Sequence, residues 1–242
     1  MKGLIPAAGK GTRMRPFTRA YPKELLPVGK KAVIEHAIDA LKMAGIDEIC
    51  IIVGHKQHAI LDYLGSGEEL GVELTYAVQD ERTGLATAIA AGDHVINSEP
   101  FAVVLGDSFF NPKNFVDDLR AYHEAEDADA TIGAVEVDDP TSYGVIDGDG
   151  QEEGRVHGLV EKPDEGSAPS NLAIAGVYIF EPAIFDAIRR TGKGAGGEYQ
   201  LTDSIRIMME DGSDVRYKYI PGEWIDVGTP ERLKRANREF EL

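Results

Sequence analysis

An apolar strand candidate, Met1 to Pro6 with Leu4 and Ile5 at its centre, runs straight into Ala7-Ala8-Gly9-Lys10-Gly11-Thr12-Arg13-Met14-Arg15-Pro16. That loop is too small-residued to pack as core, so it must turn the chain at the end of a buried strand. Glycine permits positive φ and close approach of the main chain, so successive N–H groups can converge on an anion. Lys10, Arg13, Arg15, Arg19 and Lys23 stand within reach of the same point. The pattern predicts a phosphate-binding turn with a nucleoside triphosphate as its guest. It is not a P-loop, which needs Gly-x-x-x-x-Gly-Lys-Ser/Thr, nor the dinucleotide fingerprint, whose third glycine is replaced by Met14. Taken alone, Gly9 and Gly11 also fit an ordinary β-to-α turn.

Charge sharpens the contrast. The chain has 242 residues and a formal net charge of −17, yet residues 10–31 hold seven of its 25 basic side chains and one acid, Glu24. The other 18 basic and 41 acidic side chains carry −23. So acidic a surface repels nucleic acid and anionic membrane, which excludes both as expected partners, and it matches the composition of salt-adapted proteins. No apolar run is long enough to span a bilayer, and the N-terminus lacks the apolar core of a signal peptide, so a soluble cytoplasmic protein is expected. The single cysteine, Cys50, lies inside the strand candidate Glu48–Val53 and reads as a buried core residue.

Beyond the loop, strand and helix patterns alternate. Helices are expected over Val33–Ala44, His58–Leu64, Leu85–Val95 and Asn114–Ala125, with strands at Ile49–Val53, Val72–Val78 and Phe101–Leu105. Such alternation predicts an α/β fold: a doubly wound, mostly parallel, Rossmann-like sheet with helices on both faces and ligands at the carboxyl ends of its strands. From Ala130 onward strands predominate, at Thr131–Val137, Val156–Glu161, Ala173–Phe180 and Val215–Ile220, and a helix closes the chain over Pro230–Phe240. No linker divides the chain. One domain over 1–242 is expected, with a nucleotide-binding half of about 1–129 and a half of about 130–242 that supplies the acceptor side of the cleft.

Two acids sit where such a sheet keeps its chemistry. Asp107 follows the strand Phe101–Leu105, and Asp226 lies in Glu223-Trp224-Ile225-Asp226-Val227-Gly228-Thr229, read as a tight glycine-bordered turn. Mg²⁺ takes one or two carboxylates plus substrate phosphates, so this pair suffices, although either acid alone also fits a cap or turn. Lys162 ends another apolar strand in Glu161-Lys162-Pro163. The six histidines show no metal-ligand spacing; His55-x-x-His58 reads as surface or helix cap.

In this order the motifs resemble the nucleotidylyltransferases that couple a sugar 1-phosphate to a nucleoside triphosphate. AAGKGTRMRP, PKELLP at 22–27, LGD at 105–107, YGVI at 143–146, EKP at 161–163, SNLAIAGVY at 170–178, GAGGEYQLTD at 194–203 and WIDVGT at 224–229 carry the likeness across the whole chain. PKELLP, APSNLAIAG and GAGGEYQLTD are similar to UTP–glucose-1-phosphate uridylyltransferases, WIDVGT to glucose-1-phosphate thymidylyltransferases. The resemblance implies that Ala8, Gly9, Gly11, Thr12 and Arg13 hold the triphosphate and that Gln79 and Gly84 meet the pyrimidine edge. It further implies that Arg13, Lys23 and Lys162 carry catalysis, Asp107 and Asp226 hold Mg²⁺, and Tyr143, Gly144, Glu161, Lys162 and Asn171 bind the sugar phosphate. UTP, or dTTP, and glucose 1-phosphate are the implied substrates, and a homo-oligomer is compatible with it. Two departures stand out: Gly196 occupies the place of an arginine that thymidylyltransferases carry before the Gly-Glu pair, and only thirteen residues follow Thr229, where many relatives carry a longer helical tail. The competing readings are a nucleotide-sensing module, a mannose-1-phosphate guanylyltransferase and a subunit with a degenerate site.

Overall fold

The alternating apolar runs of the first half assemble as a parallel sheet in the computed structural model of the chain, which describes residues 1–240. Strand β1 (Lys2–Ala7) leads through the glycine-rich loop and a short hairpin, β2 (Pro27–Val28) and β3 (Lys31–Ala32), into α1 (Val33–Met43). There follow β4 (Glu48–Val53), α2 (Gln57–Leu64), β5 (Glu73–Val78), α3 (Leu85–Ala90), α4 (Asp93–Ile96), β6 (Phe101–Val104), β7 (Ser108–Asn111) and α5 (Phe115–Glu126). The second half supplies β8 (Ala130–Glu136), β9 (Gly144–Gly148), β10 (Glu153–Glu161), β11 (Leu172–Phe180), α6 (Ile184–Arg190), α7 (Leu201–Glu210), β12 (Val215–Tyr219), β13 (Glu223–Asp226) and α8 (Pro230–Phe240).

Nine strands form one sheet in the order β5-β4-β1-β6-β11-β8-β12-β10-β9. β1 pairs in parallel with both β4 and β6, β4 with β5, and β12 with β8, whereas β11 and β10 run against their neighbours. The sheet is therefore mixed, with only those two strands reversed. Alternation along each strand separates two apolar layers. Ile5, Ile51, Val104 and Val177 pack with α1, α2 and α5 on one face; Leu4, Ile52, Val103 and Tyr178 pack with α3, α6 and α7 on the other. Helices cover both faces, as the alternation predicts.

The helix expected over Leu85–Val95 is broken in two. Gly92 lies so close to β1 that a Cβ there would fall 2.4 Å from Leu4 Cδ1, and the chain turns at this contact before α4 begins. β7 and β13 form a separate two-stranded ladder in which Asp226 faces Ser108. Asp226 thus ends a strand rather than lying in a tight turn.

The connection from β1 leads to β4 on one side of it, while β6 lies on the other. The sheet order reverses between β1 and β6, and their carboxyl ends open a crevice there. Among the described residues no helix is long and apolar enough to cross a membrane. Cys50 is buried in β4 and burial pushes its thiol up to about 11, which suits a core residue.

Of the described acids only Glu24 and Glu35 are buried; the others lie at or near the surface and repel one another. The Debye length falls from about 10 Å at 0.1 M salt to about 3 Å at 1 M, so added salt relieves that repulsion. The thermal midpoint is expected to rise between 0.1 M and 2 M KCl, as scanning calorimetry would register; a flat or falling midpoint removes the salt-adapted reading.

Candidate active site

The crevice at the β1/β6 reversal widens into two chambers that share Arg13, Leu85, Leu105 and Asp107. The outer one, of about 590 Å³, is walled by the glycine-rich loop. Ala8, Gly9, Gly11, Thr12, Arg13, Lys23, Gln79 and Gly84 all line it. Gly11 has φ of 58°, and a Cβ there would fall 2.8 Å from Thr18 Cγ2, so only glycine lets the loop fold down on Thr18, whose hydroxyl donates to Gly11 O at 2.7 Å. Of the five cations expected around the phosphates, Lys10, Arg13 and Lys23 line the chamber and Arg15 and Arg19 do not; Arg82, from the loop after β5, joins instead.

Gly84 has a structural reason of its own. A Cβ there would lie 2.2 Å from Tyr199 O, because Tyr199 docks on this loop through Tyr199 N–H to Thr83 O (2.8 Å) and Ala86 N–H to Tyr199 O (3.1 Å). That docking brings Glu198 to the chamber wall. Gln79 is buried, and its side-chain amide donates to Gly84 O (3.0 Å) and Thr87 Oγ1 (2.8 Å). Both its N–H bonds are thereby engaged, which leaves the carbonyl oxygen as the acceptor it can offer.

The inner chamber, of about 230 Å³, contains Asp107, Asp226, Tyr143, Gly144, Glu161 and Lys162, together with Ser142, Gln200, Thr202 and Trp224. Lys162 follows β10 directly with φ of 48°, a left-handed conformation uncommon for lysine, and its N–H donates to Tyr143 O at 2.9 Å. Glu161 accepts from Thr202 Oγ1 at 2.6 Å through one oxygen and lies 3.2 Å from Lys162 Nζ through the other. Asn171 lies outside both chambers. β11 reaches the inner chamber through Ile174, Gly176 and Tyr178, whereas Asn171 lies just before the start of that strand. It lines a separate cavity with Glu136, Gly148 and Tyr219, so its expected sugar contact is not supported by its position.

Asp107 and Asp226, 119 positions apart in sequence, are made neighbours by the β7/β13 ladder, and Val227 N–H donates to Asp107 O at 2.8 Å. Burial, then the adjacent Asp107, raises the pKa of Asp226; Lys23, Arg232 and Arg13 oppose the rise. Lys23 is ion-paired to Asp107. Burial disfavours its charge, but Asp107, Glu24 and Asp226 outweigh that and hold its pKa well above the ordinary lysine value. Two carboxylates converging from different strands fit a divalent cation. Among the described residues no group of three or more His, Cys, Asp or Glu forms a metal cage, so substrate oxygens and water would complete the shell.

Glu24 sits beneath the glycine-rich loop, only 1% exposed, with Oε2 lacking any hydrogen-bond partner among the described residues. Burial pushes its carboxyl up to about 7, against the pull of Lys23. The unfolded chain therefore ionises Glu24 first as pH rises, and the fold loses stability from the ordinary value of 4.5 up to about 7, a loss that persists above it. The shift corresponds to about 3 kcal/mol. Glu24→Gln removes the ionisation, so its thermal midpoint relative to the parent chain should gain more at pH 8 than at pH 5. An equal difference at both pH values, without metal or nucleotide, contradicts a raised pKa.

Comparison with known proteins agrees with this arrangement. The Nucleotidyl transferase family profile matches residues 2–241. The low-salt glycan biosynthesis nucleotidyltransferase of Haloferax volcanii is 42% identical over 98% of this chain, which spans 65% of that protein's length. A UTP–glucose-1-phosphate uridylyltransferase of Staphylococcus saprophyticus is 38% identical over the whole chain and 92% of its own length, and a glucose-1-phosphate thymidylyltransferase of Streptomyces antibioticus is 35% identical over 98% of this chain and 65% of its own length. The solved structure of a UDP-glucose pyrophosphorylase with UDP-glucose superposes with a TM-score of 0.90 at 29% identity, covering 99% of this chain and 98% of the other. A chain matched almost end to end by the family profile, with a glycine-rich loop and paired carboxylates at the sheet's switch point, belongs to the nucleotidyl transferase family.

Proposed function

We propose that this chain transfers a uridylyl group from UTP to glucose 1-phosphate, forming UDP-glucose and pyrophosphate. The observation that carries the proposal is the pair of chambers meeting at Arg13 and Asp107, one walled by a phosphate loop and one ending in Lys162. Two anionic substrates can enter from different sides and meet at charged groups. The uridylyltransferase relatives and the UDP-glucose pyrophosphorylase fold support the choice of substrates.

In the proposed reaction a phosphate oxygen of glucose 1-phosphate attacks the α-phosphorus of UTP in line. A new P–O bond forms, the bond from the α-phosphorus to the bridging oxygen breaks, and that oxygen departs with pyrophosphate. The nucleophile is already anionic, so no protein base is needed and the work left is positioning and charge neutralisation. The glycine-rich loop with Lys10, Arg13 and Lys23 would hold the β and γ phosphates and balance the leaving charge. Lys162 would neutralise the sugar phosphate, removing the repulsion between substrates that opposes their encounter. Glu161, held by Thr202, would accept from sugar hydroxyls. Asp107 and Asp226 would hold Mg²⁺, which when bound supplies Lewis-acid polarisation of the phosphate oxygens. At the base, the Gln79 carbonyl oxygen suits the N3–H donor common to uracil and thymine and opposes cytosine, whose N3 is an acceptor.

The WIDVGT motif and the Streptomyces relative favour dTTP as a second reading. The two bases differ by a methyl group, which a pocket distinguishes by about 1–3 kcal/mol. Pyrophosphate release across a matrix of nucleoside triphosphates and sugar 1-phosphates decides between them: UTP with glucose 1-phosphate should give the highest kcat/KM, and no release with any pair removes the enzyme reading. Asp107→Asn and Asp226→Asn should each lower turnover by several orders of magnitude with the fold intact by circular dichroism; near-normal turnover removes that aspartate from the mechanism. Lys162→Ala should chiefly raise the KM for glucose 1-phosphate, while Lys23→Ala should chiefly lower kcat. Equal loss of UTP affinity in both, by calorimetry without sugar phosphate, contradicts that division.

A further inference from the structure

Arg232, in the first turn of α8, matches none of the motifs of the chain, yet it touches two walls of the inner chamber at once. One terminal nitrogen, Nη1, donates to Asp226 Oδ2 at 2.6 Å and the other, Nη2, to the Tyr143 hydroxyl at 2.6 Å. Its guanidinium carbon lies 5.4 Å from the centre of the Tyr143 ring. Arg232 approaches from behind, lining the cavity on the far side of Tyr143, Trp224 and Asp226 from the inner chamber. It therefore reaches the site through those residues.

The two contacts join groups that otherwise belong to different parts of the fold. Asp226 comes from β13 beside Asp107 and Lys23. Tyr143 precedes β9, and its carbonyl accepts the N–H of Lys162. A guanidinium is planar with its donors in a fixed fork, so holding Asp226 with one arm determines where the other presents a hydrogen bond to Tyr143. The helix that carries Arg232 is itself anchored: Leu233 and Ala236 pack on Val28, Phe109, Ile225 and Val227, and Asn237 bonds the β2/β3 hairpin through Pro27 O and Gly29 N–H at 3.0 Å each. On the other side of Asp226, a Cβ at Gly228 would fall 2.8 Å from Oδ1, so the backbone closes over the carboxylate there. The carboxylate is gripped on both sides.

We propose that Arg232 is a positioning residue that fixes the Asp226 carboxylate and the Tyr143 ring in one arrangement, coupling divalent-cation binding at Asp107 and Asp226 to the shape of the sugar-phosphate chamber. The inference rests on the functional reading above for the identity of the cation and the sugar phosphate. Losing the fork frees the Asp226 carboxylate to rotate and the Tyr143 ring to shift in the chamber wall, so one substitution weakens two ligands that occupy different ends of the chamber. A lysine supplies a single point charge and satisfies one of the two partners.

The chain contains one tryptophan, Trp224, two residues from Asp226 and in edge contact with Tyr143 at 5.3 Å between ring centres, so its fluorescence reports on this junction without turnover. The experiment titrates MgCl₂ into the full chain with and without UTP, sugar phosphate absent, following Trp224 emission, for the parent and for Arg232→Met, Arg232→Lys and Tyr143→Phe. Arg232→Met should move the Mg²⁺ midpoint up about tenfold and, in the assay, raise the KM for glucose 1-phosphate about tenfold, with kcat falling less than either. Arg232→Lys should recover the Mg²⁺ midpoint and leave the KM raised. Tyr143→Phe should raise the KM alone, and adding Arg232→Met to it should raise the KM no further. An unchanged Mg²⁺ midpoint in a folded Arg232→Met, or fully additive KM effects in the double variant, overturns the proposal. If Arg232→Met does not fold, the Arg232→Lys and Tyr143→Phe pair decides: a shifted midpoint in Tyr143→Phe, or a parental KM in Arg232→Lys, overturns it. Absence of turnover with any sugar phosphate overturns the functional reading instead, while the Mg²⁺ midpoints still judge Arg232.

Discussion

Asp107 and Asp226 are brought together by a two-stranded ladder and repel each other there. Most of what surrounds them can be understood as the response. Near a protein surface two unit charges about 4 Å apart interact by about 4 kcal/mol, and burial increases the penalty. Lys23 is paired with Asp107 and Arg232 with Asp226, while Arg13 stands close enough to Asp226 to oppose the rise in its pKa. Three separate chain segments are thus tied electrostatically to one pair of acids: the loop after β1, the turn before β2 and the start of α8. A divalent cation bound between the acids would relieve the same repulsion, so the cations already present and the cation expected compete for one role.

The crevice itself follows from a simpler constraint. β1 has parallel neighbours on both sides, and the connections after β1 and β6 leave in opposite senses, so no chain segment fills the space between their carboxyl ends. The reversed strand β11 then extends the sheet on the β6 side. Its register shifts around Gly176, whose φ of 74° gives it a backbone that L side chains rarely adopt, and Leu105 N–H bonds the Gly176 carbonyl at 2.9 Å. That local irregularity lets the Leu105–Asp107 segment leave β6 and start the short ladder with β13. A regular β11 would carry a side chain into Leu105, since a Cβ at Gly176 would fall 2.6 Å from its Cδ1.

The outline of this fold was legible in the sequence because periodicity reports burial, and burial decides most of the sheet. The strands with both faces covered read as apolar runs, and α1 declared itself by its stripe from Val33 to Leu41. What periodicity missed were elements whose reason lies elsewhere. The helix over Leu85–Val95 broke because Gly92 meets Leu4 across the structure, a contact no local pattern encodes. β7 and β13 are four residues each and pair across more than a hundred positions, so Asp226 read as turn when it ends a strand. At the site, glycine spacing and strand-end acids pointed to residues that the fold gathers at one crevice, and family resemblance added Gln79, Gly84 and Lys162, which line it too. Asn171 came from the same resemblance and lines a separate cavity at the start of β11. Glu24, Trp224, Gln200 and Thr202 sat inside quoted motifs without a role, whereas Arg82 and Arg232 carried no sequence signal: an isolated arginine acquires meaning only from what the fold places beside it.

A chain of formal charge −17 that gathers two highly charged anions must separate near from far. At physiological ionic strength the Debye length is about 8 Å, so surface acids beyond that distance contribute little inside the crevice, while Lys23, Arg13 and Lys162 act at contact range. Lowering the salt lengthens the reach of every exposed charge, and because acids outnumber cations over the rest of the surface, the balance at the crevice mouth, where Lys10 and Arg82 stand exposed, shifts toward repulsion. Raising it removes the distant repulsion first, because part-buried pairs such as Lys23 with Asp107 are screened much less than surface charges. The concentration of cations within residues 10–31 and the acidity of the remainder are therefore compatible in one molecule: the former acts at contact range on an anion in the crevice, and the latter acts from distances that salt screens.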